Sequence, residues 1–178
     1  MIRVLRAADR AAVPWKNGGG ITREVAVWPR GAGFDDFDWR VSIAEVSGTG
    51  PFSTFHGIDR TMTILRGRLA LRFAGRTVEL DTNSEPFSFP GDATCEGMPV
   101  GGPVTDLNVM TRRGRAVARV ERLGATGSIA ASCMLIVATA PTRIGLGGGE
   151  YTLDTFDAAS ITEMTFTATG QGYAIAFA

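Results

Sequence analysis

The sequence predicts an all-β fold, a barrel or jelly roll of short antiparallel strands. Three observations carry this reading. Apolar and polar residues alternate with a period of two in several short runs. Glycine-rich turn signals separate those runs at regular intervals. Helix signals are nearly absent, and many short glycine-punctuated strands favour a barrel or jelly roll.

The elements follow in chain order. Residues 8–12 carry the best helix signal, with Asp9 as the N-cap and Pro14 closing the segment. Gly18, Gly19 and Gly20 then mark a turn. Residues 24–28 read as a strand, and Gly31 and Gly33 turn the chain. Trp39–Val46 is the clearest alternation so far. Trp39, Val41 and Ile43 share the face expected to be core, while Arg40, Ser42 and Ala44 share the other. After a turn at residues 48–51, residues 62–65 form a strand, and Gly67 makes a tight turn into Arg68–Phe73. There Leu69, Leu71 and Phe73 line one face. Ala74 and Gly75 reverse the chain, and residues 77–80 return with Val78 and Leu80 facing inward. Further runs fall at residues 104–110, 115–122, 129–139 and 173–177. Turns at residues 99–103, 145–149 and 170–172 lie among them.

The 178 residues are read as a single compact unit, 1–178, built of two halves. Residues 1–115 are rich in charged and aromatic side chains. Residues 116–178 are rich in Ala, Thr and Gly and read as a second β-rich half packed on the first. No linker separates them.

Composition narrows the function classes. Hydrophobic residues make up 44% of the chain, enough for a core. Lys plus Arg is 18 and Asp plus Glu is 18, so the basic excess of a phosphate-neutralising nucleic-acid binder is missing. The longest apolar run, near residues 134–138, is too short to span a bilayer. The first ten residues mix acid and base without an apolar core, so no secretory signal is visible. A cytoplasmic location is expected. Cys95 and Cys133 lack CxxC spacing and read as two free thiols. Lys16 and His56 are the single lysine and histidine, so lysine or histidine chemistry has one candidate each.

Several segments form a recognisable set. They are residues 14–20 (Pro-Trp-Lys-Asn-Gly-Gly-Gly), 22–24 (Thr-Arg-Glu), 38–44 (Asp-Trp-Arg-Val-Ser-Ile-Ala), 50–53 (Gly-Pro-Phe-Ser) and 57–60 (Gly-Ile-Asp-Arg). Residues 101–110 and the following Arg112-Arg113-Gly114 complete it. In this order and spacing they resemble the HutD/Ves family. The resemblance is strong over residues 1–115; beyond them only β character matches. It implies a cupin-like, RmlC-type jelly-roll barrel. It also implies a protein that binds a small carboxylated metabolite, with urocanate and formylglutamate the usual suggestions, and that modulates histidine utilisation. No catalytic reaction is implied.

A cupin metal site needs several nitrogen and oxygen ligands converging from neighbouring strands. Gly50 and His56 echo the start of the cupin histidine motif, but Ile58 stands at the next histidine position and residues 87–108 contain no histidine. Neither metal nor other cofactor is expected. The candidate ligand-binding residues are Lys16, Asn17, Arg40, Ser42, His56, Arg60, Asp106 and Asn108. Lys16 and Asn17 precede three glycines that could bring backbone amides close to an anion. Arg40, with small Ser42 and Ala44 beyond it, could fork onto a carboxylate if that face lines the barrel. The alternative is an Arg40 paired with a neighbouring acid outside. Arg60 is the ligand-facing choice in a loop entering the strand at residues 61–65, with Asp59 bracing the turn. His56 would stand at the barrel mouth or on an exposed loop. Asp106 and Asn108 share a strand face and need partners if buried, either a ligand or an arginine. Trp15, Trp28 and Trp39 could stack on a flat ligand, though core or rim packing is the commoner role.

The expected function is therefore binding of a small metabolite, with neither nucleic acid nor membrane as partner. Barrels of this kind often pair through their sheets, so a homodimer is among the expected assemblies. One alternative is a metal-independent isomerase or hydrolase using His56, Asp59, Glu24 or Asp106. Another is a protein–protein module with a filled interior and an exposed apolar patch.

Overall fold

The structure is a computed structural model, and it describes residues 1–123, 126–128, 133–162 and 165–178. The first eleven strands are β1 (Ile2–Leu5), β2 (Ala12–Pro14), β3 (Gly20–Trp28), β4 (Trp39–Val46), β5 (Gly50–Pro51), β6 (Ile58–Arg66), β7 (Arg68–Phe73), β8 (Arg76–Asp81), β9 (Phe87–Pro90), β10 (Cys95–Pro99) and β11 (Val104–Arg112). The others are β12 (Ala118–Arg122), β13 (Thr126–Ser128), β14 (Cys133–Ala138), β15 (Thr142–Leu146), β16 (Gly149–Leu153), β17 (Ala158–Ile161), β18 (Thr165–Thr169) and β19 (Gly172–Phe177). The chain divides into two units. One is Ala11–Ala116; the other joins Met1–Arg10 to Val117–Ala178.

The unit Ala11–Ala116 is an antiparallel, cupin-like double sheet. Six strands run in the order β2-β3-β4-β11-β6-β9, and four in the order β5-β10-β7-β8. Its core is shared by the two. Val46, Met62, Ile64, Phe89 and Val104 come from the larger sheet, and Leu69, Leu71, Leu80 and Cys95 from the smaller. Burial of such side chains contributes roughly 1.5–3 kcal/mol each. Phe37, Ile58 and Met110 form a second buried group with Val27, Ala32 and Phe55 against it. Gly67 turns with φ +81°, and a Cβ there would stand 2.8 Å from the Pro103 carbonyl oxygen. The expected tight turn is thus a corner that carries the chain from one sheet to the other.

The unit of Met1–Arg10 and Val117–Ala178 is built on the same plan. Its sheets run β1-β17-β14-β19-β12 and β13-β18-β15-β16. Met134, Ile136, Ala159, Ile161 and Ala174 of the first pack with Ile144, Leu146, Leu153, Phe166 and Ala168 of the second. Small alanines in facing positions explain the composition of this half. The ten N-terminal residues, counted with the first half on sequence, belong here because β1 pairs with β17. Asp157 fixes them. Its Oδ1 accepts the Ala7 N–H at 2.7 Å, and its Oδ2 accepts Arg6 Nη1 at 2.6 Å and the Asp154 N–H at 3.0 Å.

Two local expectations change. The helix expected at residues 8–12 is a single 3-10 turn, Ala7–Asp9, without a side-chain cap. Residues 12–14 instead form β2, an edge strand paired with β3, where Pro14 is tolerated. The strand expected at residues 129–139 is seen as Cys133–Ala138; residues 129–132 and the Cys133 side chain lie outside the described residues. Among the described residues no helix is long and apolar enough to cross a membrane.

Candidate functional site

Register within the larger sheet of the unit Ala11–Ala116 selects the interior face. β11 lies between β4 and β6. Asp106 stands opposite Ala44 and Ile64, Asn108 opposite Ser42 and Met62, and Met110 opposite Arg40 and Arg60. Directly opposed residues in antiparallel strands share a face. Met62, Ile64 and Val46 on this face belong to the core between the two sheets. So the interior face of β4 carries Arg40, Ser42 and Ala44, the reverse of the sequence expectation. Trp39, Val41 and Ile43 are buried too, which is why alternation alone misassigned the faces.

Four polar side chains lie on this interior face with almost no exposure: Ser42 at 1%, Asp106 at 2%, Arg60 at 6% and Asn108 at 8%. Arg60 lies within β6, which begins at Ile58 rather than after a loop. Strand alternation therefore sends Asp59 outward to Arg113 and Arg60 inward. Arg60 Nε donates to Asn108 Oδ1 at 3.3 Å, and Nη1 donates to the Ser53 carbonyl at 3.4 Å. Its Cζ lies 5.1 Å from the Phe89 ring centroid, 5.6 Å from Phe52 and 5.7 Å from Phe55. These rings give the cation a favourable face but no counter-charge. No carboxylate lies within ion-pair distance of Arg60 among the described residues.

Asp106 is the acid whose charge acts on Arg60. Burial pushes its carboxyl up to about 7, against the pull of Arg60. Burial likewise pushes the Arg60 guanidinium down, with Asp106 opposing. The Asp106 Oδ1 is buried without a hydrogen-bond partner. Buried Cys95 lies near the same cation; burial raises its thiol and Arg60 opposes that. Trp15 reaches the site from the loop before β3. Its Nε1 donates to Thr22 Oγ1 at 2.7 Å, and its ring meets Phe52 edge-on at 5.6 Å. Thr22 in turn stands opposite Ala44.

The other candidates lie elsewhere. Arg40 is on the interior face but is engaged: its Nε donates to Glu24 Oε2 at 2.9 Å, and its Cζ sits 4.5 Å over the Phe34 ring. Lys16 and Asn17 are exposed. Asn17 Oδ1 accepts the Gly19 N–H at 3.0 Å, so it braces its own turn. Gly18 takes φ +70° in the turn, and Gly20 serves close packing: a Cβ there would meet the Glu45 carbonyl oxygen at 2.6 Å. His56 has a side chain 90% exposed, with Nδ1 3.4 Å from Asp92 Oδ1. Trp28 is exposed and Trp39 is buried. The residues that sequence reasoning missed are Phe52, Phe55 and Phe89, which enclose Arg60. Two of them sit in or beside the quoted Gly-Pro-Phe-Ser segment, so their signal was present without a reason to join it to Arg60. Among the described residues, no three of His, Cys, Asp or Glu gather as a metal site would require.

Comparison with known proteins places this architecture. The family described as HutD matches residues 7–176. An uncharacterized 21.2 kDa protein in the hutC 3' region of Pseudomonas putida is 33% identical over 153 residues, covering 84% of this chain and 80% of that protein. Protein Ves of Citrobacter koseri is 39% identical over 109 residues, covering 60% of this chain and 56% of its own. The structure of HutD from Pseudomonas fluorescens SBW25 superposes with a TM-score of 0.88 at 29% identity, covering 99% of this chain and 98% of that one. A cupin 2 conserved barrel domain protein from Leptotrichia buccalis, at 8% identity and TM-score 0.57, shares the fold over 93% of this chain and 91% of its own. Matched by the family over all but its outermost residues, and like HutD of P. fluorescens in fold from end to end, the chain belongs to the HutD family.

Proposed function

We propose that this protein binds a small carboxylated metabolite inside the unit Ala11–Ala116, with Arg60 as the anion-binding residue. One observation carries the reading. Several of the more exposed arginines of this unit have acids: Arg23 pairs with Glu45, Arg72 with Glu96, Arg113 with Asp59 and Asp92, and Arg115 with Asp38. Arg60, the buried one, has none. An unpaired buried cation costs free energy, which a ligand carboxylate would offset. With Nε on Asn108 and Nη1 on the Ser53 carbonyl, Nη2 is the guanidinium nitrogen a ligand carboxylate would take.

Family membership supports a metabolite of histidine breakdown, urocanate or formylglutamate, and a cytoplasmic role in which occupancy modulates histidine utilisation. Thermal unfolding with millimolar urocanate, formylglutamate, histidine, glutamate or formate tests this. A ligand at about 100 times its Kd adds roughly 2.7 kcal/mol, a rise of about 5–10 °C for a chain of this size. The rise should vanish in Arg60→Met. No rise with any of these compounds would overturn the histidine-pathway reading. A second reading, an acid–base enzyme, rests on Asp106, whose carboxyl near 7 suits proton transfer at neutral pH. Consumption of urocanate or formylglutamate followed by NMR would favour it.

A further inference from the structure

Arg60 is 6% exposed, so anything that reaches it must first displace a covering side chain. Of the rings that face its guanidinium, Phe52 and Phe89 are locked in place. Phe89 is buried, with Phe73 at 5.5 Å and Phe87 at 5.8 Å. Phe52 is buried in the core between the two sheets, edge-on to Trp15. Phe55 differs. It is only half-buried, and Phe34 of the β3–β4 loop lies on it. The two rings stack with centroids 5.5 Å apart and 19° between their planes. Phe34 itself is 55% exposed, with the Arg40 guanidinium 4.5 Å from its centroid. Burial therefore falls along one line, from Arg60 through Phe55 to Phe34.

From this gradient we infer that Phe34 is a gate: its ring swings off Phe55 and Arg40 to admit small molecules to Arg60, while its backbone stays fixed. The inference deepens the reading of Arg60 as a ligand site, on which it rests, by naming how that site is reached. Arg112 supplies the fixed frame. Its Nε donates to the Phe37 carbonyl at 2.9 Å, and its Nη2 donates to the carbonyls of Asp35 at 2.9 Å and Phe34 at 3.3 Å. Phe55 is held as well, its N–H donating to the Gly91 carbonyl at 2.8 Å. The movable part is thus a ring and not the loop. Its swing gives up one ring stack and one cation–π contact at an exposed position, both small losses. Arg40 keeps its bond to Glu24, so no charge is stranded when the ring leaves. Displacing Phe52 or Phe89 instead would open the packed core.

Cys95 reports opening without any assumed ligand, because it is a buried free thiol that feels the Arg60 charge. The probes are neutral methyl methanethiosulfonate and its anionic sulfonatoethyl analogue. Each converts an accessible thiolate to a mixed disulfide, and peptide mass spectrometry reads the rate at Cys95. In Phe34→Ala both rates should rise about tenfold at low urea, with the midpoint of urea unfolding unchanged. Phe34→Tyr keeps a ring over Phe55 and should label at the parent rate. Unchanged rates in Phe34→Ala, or a rise that a lowered midpoint accounts for, would overturn the gate. Arg60→Met tests the site behind it: the preference for the anionic over the neutral reagent should fall. A preference that ignores Arg60→Met, with labelling still faster in Phe34→Ala, would remove the carboxylate reading and leave the gate standing.

Discussion

Arg60 Nε donates to Asn108 Oδ1 at 3.3 Å across the β6–β11 pair, so a neutral amide holds a guanidinium that no carboxylate touches. The pairing orients the cation without neutralising it. That suits a ligand site and is costly for the empty protein. Arg60→Met keeps a long side chain among the Phe52, Phe55 and Phe89 rings and removes the buried charge. Replacing buried ionic groups by apolar ones of similar size often stabilises by about 1–4 kcal/mol. The ligand-free variant should therefore match or exceed the parent in urea unfolding while losing the carboxylate-induced rise in Tm. A loss of more than about 1 kcal/mol without ligand would make Arg60 a structural residue first.

Asp106 sets a pH dependence of known sign. Its carboxyl is raised by burial to about 7 in the folded protein, against roughly 3.9 in the unfolded chain. Between those values the folded state binds more protons, so stability falls as pH rises. The contribution is fully present below about pH 4 and is lost by about pH 7, a difference on the order of 4 kcal/mol. Other carboxylates slope the opposite way at lower pH: Asp92 is held down to about 2, chiefly by its hydrogen bond from Arg113. The informative quantity is parent minus Asp106→Asn, measured by urea unfolding from pH 4 to 8. Asp106→Asn should gain on the parent from about pH 4 to about pH 7 and level off above it. A flat difference would mean that water or rearrangement already satisfies the carboxyl.

The sequence carried much of this architecture, because alternation marks strands whatever they pack on. Trp39–Val46 and Arg68–Phe73 are strands with the bounds their patterns predict. What alternation does not reveal is which face of a strand is the interior when both are buried. Every residue from Val104 to Thr111 is buried, so β11 has no polar outside to orient it. The same ambiguity inverted the faces of β4. Arg40 reads as a strand cation and Arg60 as a loop residue entering its strand; only the folded chain puts both on strands, with Glu24 beside one and Asn108 beside the other. The Lys-Asn-Gly-Gly-Gly loop looked like an anion cradle because glycine permits close approach, and here the close approach is to the protein's own backbone. The helix at residues 8–12 failed for a tertiary reason: Asp157, about 150 residues away, takes the Ala7 N–H and fixes that turn.

Gly97 tests the ring enclosure of Arg60. A Cβ on Gly97 would lie 2.3 Å from Phe52 Cε1 and 2.7 Å from its Cζ. Gly97→Ala must push the ring, and Phe52 lies between Trp15 and Arg60. Overpacking of this kind costs about 1–3 kcal/mol. The variant should melt several degrees lower and bind carboxylate several-fold more weakly. Adding Phe52→Leu should recover part of the stability, as coupled neighbours do, while the affinity stays low. Unchanged affinity in Gly97→Ala would show that Phe52 plays no part in placing the guanidinium.

Asp157 is the corresponding test in the other unit. Burial would raise its carboxyl, but the Ala7 N–H, Arg6 and the Asp154 N–H together hold it below the usual range. Arg6 is half exposed, so its share of the pairing is screened and small. The weight falls on the two backbone donors, which no other group meets once the carboxylate is gone. Asp157→Ala should cost about 3 kcal/mol at pH 7. A lowered acid stabilises above its unfolded value of roughly 3.9 and loses that contribution as pH falls through the folded one. The deficit of the variant should therefore shrink on acidification toward pH 2. The same substitution should speed hydrogen exchange in β1, because the Ala7 anchor follows the strand that pairs with β17. Exchange at Ile2–Leu5 that matches the parent would show that the β1–β17 ladder holds the N-terminal segment without the Asp157 knot.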